Sequence, residues 1–139
     1  MNAKEYLQQI RMLDTLISRK TELLFQLRAQ VLSITAPMEG ERVQSTGNAR
    51  RMEDTIVKII DLQNEINEII DNMLDVKREI LAVIDSLDDP DLVNLLYRRY
   101  VYFEKWEDIA LKMNYNVRWI YRLHKKALHK LSEKLKTGR

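Results

Sequence analysis

The chain has 139 residues and a formal net charge of +2, with only three Gly, two Pro and no Cys. Scarce turn-forming residues disfavour a sheet-rich fold, abundant Leu, Ile, Lys, Glu and Arg favour helices, and the lack of Cys excludes disulfides and thiolate metal sites. No apolar run approaches the ~20 residues of a membrane span, and the N-terminus lacks a signal-peptide pattern. We therefore expect an all-α cytoplasmic protein without membrane contact.

The first predicted element is a long amphipathic helix over residues 3–34. Its apolar residues keep heptad spacing in two series: Ile10, Ile17, Leu24 and Val31, and Leu13, Leu27 and Ile34. The following stretch, TAPMEGERVQSTGN, is rich in Gly, Ser and Thr and contains Pro37, so it predicts a loop over residues 35–48.

A second long helix is predicted over residues 49–87. Its apolar stripe, again at heptad spacing, consists of Met52, Ile56, Ile59, Ile66, Ile70, Met73, Ile80, Ile84 and Leu87. Further apolar residues flank this stripe, so the face is too wide for one partner helix. An antiparallel, coiled-coil-like hairpin with the first helix would cover part of it, and a second copy, the C-terminal region or a foreign protein would cover the rest. Closed symmetric pairs are the commonest solution, so residues 1–87 are predicted to form a homodimer or a higher oligomer.

Residues 88–139 form the second predicted domain. Asp89 is a good N-cap, Pro90 fits the first helical position and Asp91 suits the positive end of the helix dipole. Capping explains these carboxylates more simply than acid–base catalysis does. Three helices are predicted here, over residues 90–102, from 106 or 107 to 113, and over about 117–135.

Charge is unevenly divided between the two predicted domains. Residues 1–87 hold 11 Lys and Arg against 14 Asp and Glu, whereas residues 88–139 hold 12 against 7. Such asymmetry favours a polyanionic partner for the C-terminal domain, although a solvated helix face has a similar composition.

The spacing within residues 106–131 predicts a helix-turn-helix. Such a unit needs a small residue in its first helix, a turn former, and apolar residues on the facing sides. Ala110 is the small residue, Asn114 takes the turn position that commonly holds Gly, and Asn116 is a good N-cap. Tyr115 is expected to plug the turn. The predicted inner face consists of Ile109, Met113, Ile120, Leu123, Ala127, Leu128 and Leu131.

The remaining positions of the final helix predict a DNA-binding surface. The candidate DNA-binding residues are Asn116, Val117, Arg118, Trp119, Tyr121, Arg122, Lys125, Lys126 and Lys130. We expect residues 117–131 to lie in the major groove, with the first residues at base edges and the later basic ones at phosphates. Arg118 and Arg122 are one turn apart, so each can pair with a guanine, and Val117 can pack on a thymine methyl. For Trp119, base contact and partial burial over the hinge are both open.

Other chemistry is sparse in this sequence. His124 and His129 are five residues apart, about 140° around a helix, and no Cys joins them. Phosphate loops, nucleophile elbows and paired carboxylates are also missing from the sequence. We therefore expect no enzymatic activity, no metal and no cofactor.

The stretch LLYRRYVYFEKWEDIALKMNYNVRWIYRLHKKALHKL (95–131) resembles the C-terminal DNA-binding region of bacterial sigma factors. The matching positions are Tyr97, Arg98, Arg99, Tyr100, Asp108, Ile109, Ala110, Met113, Asn114, Asn116, Ile120, Leu123, Ala127, Leu128, Lys130 and Leu131. The whole layout, including ERVQSTGNARRMEDTIVKIIDLQNEI (41–66), is similar to phage-encoded late regulators of the RinA and ArpU type. That resemblance implies activation of phage structural or packaging genes in the bacterial cytoplasm, with RNA polymerase as a further candidate partner.

One departure from the sigma pattern concerns the base-reading positions. Sigma factors place a charged and polar quartet there, whereas this chain has Val117, Arg118, Trp119 and Arg122. A standard promoter −35 element is therefore not the expected target. We predict a dimeric, sequence-specific double-stranded DNA-binding regulator. Two alternatives are a DNA-packaging component like a small terminase subunit and a sigma-like adaptor that binds RNA polymerase.

Overall fold

The structure, a computed structural model, describes residues 1–35 and 46–137. Its helices are α1 (Ala3–Thr35), α2 (Thr46–Asp85), α3 (Pro90–Leu96), α4 (Trp106–Met113) and α5 (Val117–Thr137), and a π-helical turn, Tyr97–Val101, continues α3. Within the described ranges there is no β-strand, so the predicted all-α class with a long N-terminal helix is confirmed.

The start of α2 differs from the prediction. Most of the predicted loop, residues 36–45, lies outside the described residues, but residues 46–48 belong to α2. Ser, Thr and Asn are favoured at helix N-termini as well as in loops, so composition alone could not locate this boundary.

The described helices form two compact units, which do not coincide with the predicted domains. One comprises Asp14–Asn72, here named the two-helix unit, and the other comprises Met1–Leu13 with Met73–Arg139, here named the helix-turn-helix unit. The start of α1 and the end of α2 thus belong to the same unit as the C-terminal helices. Independent folding of residues 1–87 and 88–139 stays a prediction.

The two-helix unit has a narrow buried seam on α2. Leu62 and Ile66 are buried there, and so is Thr55, whose hydroxyl donates to the Arg51 carbonyl at 2.8 Å. Lys20, which interrupts the heptad pattern of α1, forms an ion pair of 2.8 Å with Glu65. Two members of the predicted stripe on α2, Ile56 and Ile70, are exposed in the single chain. Heptad spacing alone does not distinguish two neighbouring apolar stripes on one helix.

A single hydrophobic core holds the helix-turn-helix unit together. Its buried residues are Ala3, Tyr6, Leu7, Ile10, Ile80, Ile84, Leu87, Leu92, Leu95, Leu96, Tyr100, Ile109, Ala110, Ile120, Leu123, Ala127 and Leu131. Residues from α1 and α2 thus share one core with residues from α3, α4 and α5. Each fully buried Leu or Ile contributes about 1.5–3 kcal/mol to stability, so the α1 contribution is not dispensable.

The beginning of α3 matches the capping prediction. The Asp89 carboxylate accepts a hydrogen bond of 3.0 Å from the Asp91 N–H, and Pro90 occupies the first turn. After Leu96 the backbone widens into the π-helical turn, which continues the helix predicted over 90–102 as far as Val101. The extra residue per turn in a π-helix rotates the following side chains relative to α3.

Candidate nucleic-acid interface

The turn between α4 and α5 has the local structure that its sequence predicts. Asn114 adopts the left-handed conformation (φ 64°, ψ 38°), and the Tyr115 N–H donates to the Ala110 carbonyl at 3.0 Å. The Asn116 side chain accepts a hydrogen bond of 2.7 Å from the Trp119 N–H. The predicted left-handed turn residue and N-cap are therefore confirmed.

The inner face of the helix-turn-helix is also confirmed. Ile109, Ile120, Leu123, Ala127 and Leu131 are buried, and so is the small residue Ala110. Met113 and Leu128 are partly buried and pack against this core. With one side of α5 committed to the core, the opposite side faces solvent.

The predicted DNA-binding residues lie on or beside the solvent side of α5. Asn116, Arg118, Trp119, Tyr121, Arg122, Lys125 and Lys126 are exposed, and Val117 and Lys130 are partly exposed. At 100° per residue, Arg118, Arg122 and Lys125 fall within about 60° of one another around the helix.

The basic residues of this surface carry no counter-charge from the protein. Over residues 1–35 and 46–137, no carboxylate forms an ion pair with Arg118, Arg122, Lys125 or Lys126. The one acidic residue of α5, Glu133, lies 3.4 Å from His129. The first turns of α5 therefore present cations whose hydrogen-bond donors are free to meet an anionic partner.

Tyr115 does not plug the turn from inside, contrary to the prediction. Its side chain is 36% exposed, and its hydroxyl donates a hydrogen bond of 2.7 Å to Asp91 at the start of α3. This hydrogen bond raises the pKa of Tyr115. The ring of Trp119, which is 41% exposed, lies 6.3 Å from the Tyr115 ring. Trp119 is thus partly exposed and in contact with Tyr115, and it extends the exposed surface of α5 toward the turn.

A partly buried aromatic cluster joins α5 to the π-helical turn and α4. The Tyr100 hydroxyl lies 2.6 Å from His124 Nε2, and the Trp106 ring centroid lies 4.6 Å from that of His124. Burial, followed by the charges of Lys4 and Arg99, lowers the pKa of His124 to about 4. The imidazole is therefore neutral at neutral pH, and its Nε2 forms a hydrogen bond with the Tyr100 hydroxyl.

The arrangement around His124 is a structural contact, not a ligand set. His124 is partly buried among aromatic rings, whereas His129 is exposed. Among the described residues, no group of three His, Asp or Glu side chains comes together.

An arginine–glutamate network at the π-helical turn was missed by the sequence reasoning. The Glu104 carboxylate lies 3.4 Å from Arg98 and 3.0 Å from Lys112. Arg99 donates instead to the Glu104 backbone carbonyl at 2.9 Å, and its guanidinium lies 4.3 Å above the Trp106 ring. The adjacent basic and acidic residues of YRRYVYFEK were the available signal, but the sequence does not tell which arginine the glutamate takes.

A family model described as "Protein of unknown function (DUF1492)" matches residues 32–132, most of the chain. The chain belongs to the DUF1492 family. DUF1492 is found in phage proteins and is related to sigma-region-4-like helical domains. No curated protein and no solved structure matches the chain.

The DUF1492 match includes α2, α3, α4 and most of α5, so it contains the whole helix-turn-helix. The core of the helix-turn-helix unit also uses Leu7 and Ile10, which precede the matched residues. Among the described helices of this DUF1492 protein, none combines the length and hydropathy needed to cross a bilayer.

Proposed function

We propose that this protein is a sequence-specific double-stranded DNA-binding regulator of phage genes, acting as an activator of the RinA and ArpU type. The observation that carries the proposal is the solvent side of α5, where four cations without counter-charges follow a well-formed helix-turn-helix turn. The family relation to sigma-region-4-like domains supports it. The role requires neither catalysis nor a cofactor.

The proposed binding mode places α5 in the major groove. A helix about 10–12 Å in diameter fits a groove about 12 Å wide. Arg118 and Arg122 then point at base edges, where a guanidinium forms two parallel hydrogen bonds with guanine. Val117 and Trp119 supply apolar contacts from the first turn of α5. Further along the helix, the cations Lys125, Lys126 and Lys130 meet phosphates.

Dimerisation through the two-helix unit is part of the proposal. Large apolar side chains are exposed there, namely Leu23, Phe25, Leu32, Ile56, Val57, Ile60 and Ile70. A monomer rarely leaves so many large apolar side chains in water, and a second copy is the commonest way to cover them. A symmetric dimer presents two copies of α5, so the proposed operator contains two related half-sites.

In vitro selection from a randomised duplex pool tests the proposed function. A regulator enriches one motif with paired half-sites, and the selected duplex binds far more tightly than a scrambled one. Lack of duplex binding at low salt together with co-purification of RNA polymerase contradicts the proposal in favour of the adaptor. A ring of many subunits in light scattering favours the packaging component.

A further inference from the structure

Two neighbouring arginines on the π-helical turn have different surroundings. Arg98 lies 3.4 Å from both carboxylate oxygens of Glu104, and its side chain is only 26% exposed. Arg99 has no carboxylate within ion-pair distance among the described residues. Because Glu104 also pairs with Lys112, the charge of this carboxylate is already matched by two cations. Arg99 is therefore a cation without a counter-ion.

The guanidinium of Arg99 is held in a defined place. Its Cζ lies 4.3 Å above the Trp106 ring centroid, and its Nη1 donates to the Glu104 carbonyl at 2.9 Å. A cation over an indole face is attracted by the ring quadrupole, which restrains the side chain. Its other N–H groups have no hydrogen-bond partner among the described residues. A restrained donor loses less conformational entropy when it binds an acceptor.

The Trp106 ring contacts both Arg99 and α5, where it meets the rings of Tyr121 and His124. The Trp106 ring meets the ring of Tyr121 edge-on, with centroids 5.5 Å apart, and Tyr121 is half exposed. Tyr121 and Lys126 are five residues apart, so they lie about 140° apart around α5. Arg99 thus belongs to the flank of α5 opposite to the flank that carries Lys126.

A helix in the major groove has one DNA backbone on each flank, because the groove is barely wider than the helix. In the proposed binding mode, Lys126 and Lys130 serve one backbone. On the Tyr121 flank α5 itself supplies Lys125, which lies one turn after Tyr121, about 40° around the helix. Arg99 is a second cation beside Tyr121, and it is held in place by Trp106.

We propose that Arg99, restrained on Trp106, binds a backbone phosphate of the DNA strand on the Tyr121 flank of α5. A guanidinium carries five N–H donors, so those beyond Nη1 can form paired hydrogen bonds with a phosphodiester. This inference rests on the proposed function and adds a second anchor to it. Arg98, neutralised by Glu104, takes no part in the contact.

The salt dependence of binding separates the two arginines. The probe is a duplex selected from a randomised pool by the wild-type protein, titrated by fluorescence anisotropy at about 50–200 mM salt. Arg99→Gln should lower the slope of log K against log salt by about 0.9, the value for one lost phosphate contact. Arg98→Gln is the matched control and should leave the slope unchanged while it lowers the thermal midpoint. Equal slopes for Arg99→Gln and wild type overturn the inference.

Neutral methylphosphonates, introduced one at a time into the selected duplex, locate the phosphate. At one position per half-site, neutralisation should weaken wild-type binding several-fold and cause no further loss for Arg99→Gln. Should Arg99→Gln fail to fold, Arg99→Lys keeps the charge but loses the paired donors, so neutralisation of that phosphate should cost it less than it costs wild type. Identical loss profiles for wild type and the folded variant overturn the contact.

Failure of this inference is distinguishable from failure of the proposed function. If the wild-type protein binds no duplex, both the proposed function and the phosphate contact are wrong. If wild type binds and Arg118→Ala changes its sequence preference while the Arg99→Gln slope is unchanged, only the phosphate contact is wrong.

Discussion

The Tyr100 hydroxyl lies 2.6 Å from Nε2 of His124, a contact that joins the π-helical turn to α5 across the helix-turn-helix core. Since burial and two nearby cations lower the pKa of His124 to about 4, the bond exists with a neutral imidazole. The two residues of this contact are 24 positions apart in sequence.

Stability should consequently fall as pH drops from about 6.5 to about 4. The unfolded chain takes up a proton near the ordinary His value of 6.5, whereas folded His124 does so only near 4, so protons favour unfolding within this window. Since the side chain is partly solvated, we expect a loss of about 1 kcal/mol.

Urea denaturation at several pH values measures that loss, with His124→Gln as the comparison because Gln does not titrate. The pH dependence of the variant should be flatter than that of wild type in the same window. Parallel curves for the two proteins would show that His124 does not contribute.

Substitution of Asn114 tests the turn. A left-handed residue other than Gly costs about 1 kcal/mol, and Asn tolerates this conformation better than Ala does. Asn114→Ala should therefore lower the free energy of unfolding by about 1 kcal/mol, while Asn114→Gly should not lower it. Chemical denaturation followed by circular dichroism checks this difference, and equal losses for Ala and Gly would contradict it.

Leu7 should stabilise the helix-turn-helix unit although it is remote from it in sequence. Its side chain is fully buried in the core shared with Ile109 and Leu131, so Leu7→Ala should cost about 2–5 kcal/mol. Met12→Ala is the matched control on the same helix, because Met12 is exposed and is not part of the proposed dimer surface. Similar thermal midpoints for the two variants would mean that α1 does not contribute to this core.

Arg118 and Lys126 should differ in the kind of affinity they provide. Arg118→Ala should cost about 1–3 kcal/mol on the selected duplex and relax preference at one base pair. Lys126→Ala should weaken all duplexes alike and reduce the salt slope by about 1. Competition binding with cognate and scrambled duplexes separates these effects. If each variant loses the same affinity on the cognate and scrambled duplexes, Arg118 does not read a base.

The exposed apolar residues of the two-helix unit should determine the oligomeric state. Phe25→Lys combined with Ile60→Lys should give monomers with unchanged helicity, since both side chains are exposed in the single chain. Light scattering measures the mass, and Leu111→Lys, at a position 79% exposed on α4, is the control. A dimer that survives the double substitution requires another interface.

Features that depend on near neighbours in sequence were predictable. Asn114 and Asn116 fit the turn and the N-cap because the hydrogen bonds they make or permit span only a few residues. The helical period predicted which side of α5 is buried. Because it assigns Ile120 and Leu123 to the core, it also predicts that Arg118 and its neighbours are exposed.

Features that depend on how side chains pack in three dimensions were not predictable. The sequence did not show that Glu104 forms its ion pair with Arg98 while Arg99 lies over the Trp106 ring. Both arginines are close enough in sequence to reach Glu104. Nor did it show that Tyr115 bonds to Asp91, since that contact needs α3 packed against the turn.

The sequence by itself determined the helical class, the turn between α4 and α5 and the residues on the outer side of α5, because periodicity and capping act locally. Only the tertiary structure decided that the start of α1 and the end of α2 complete the helix-turn-helix core. It alone also decided which arginine is left without a counter-ion. The shared core depends on side chains far apart in the chain, and the free arginine depends on which of several neighbouring groups come into contact, so neither is set by sequence spacing.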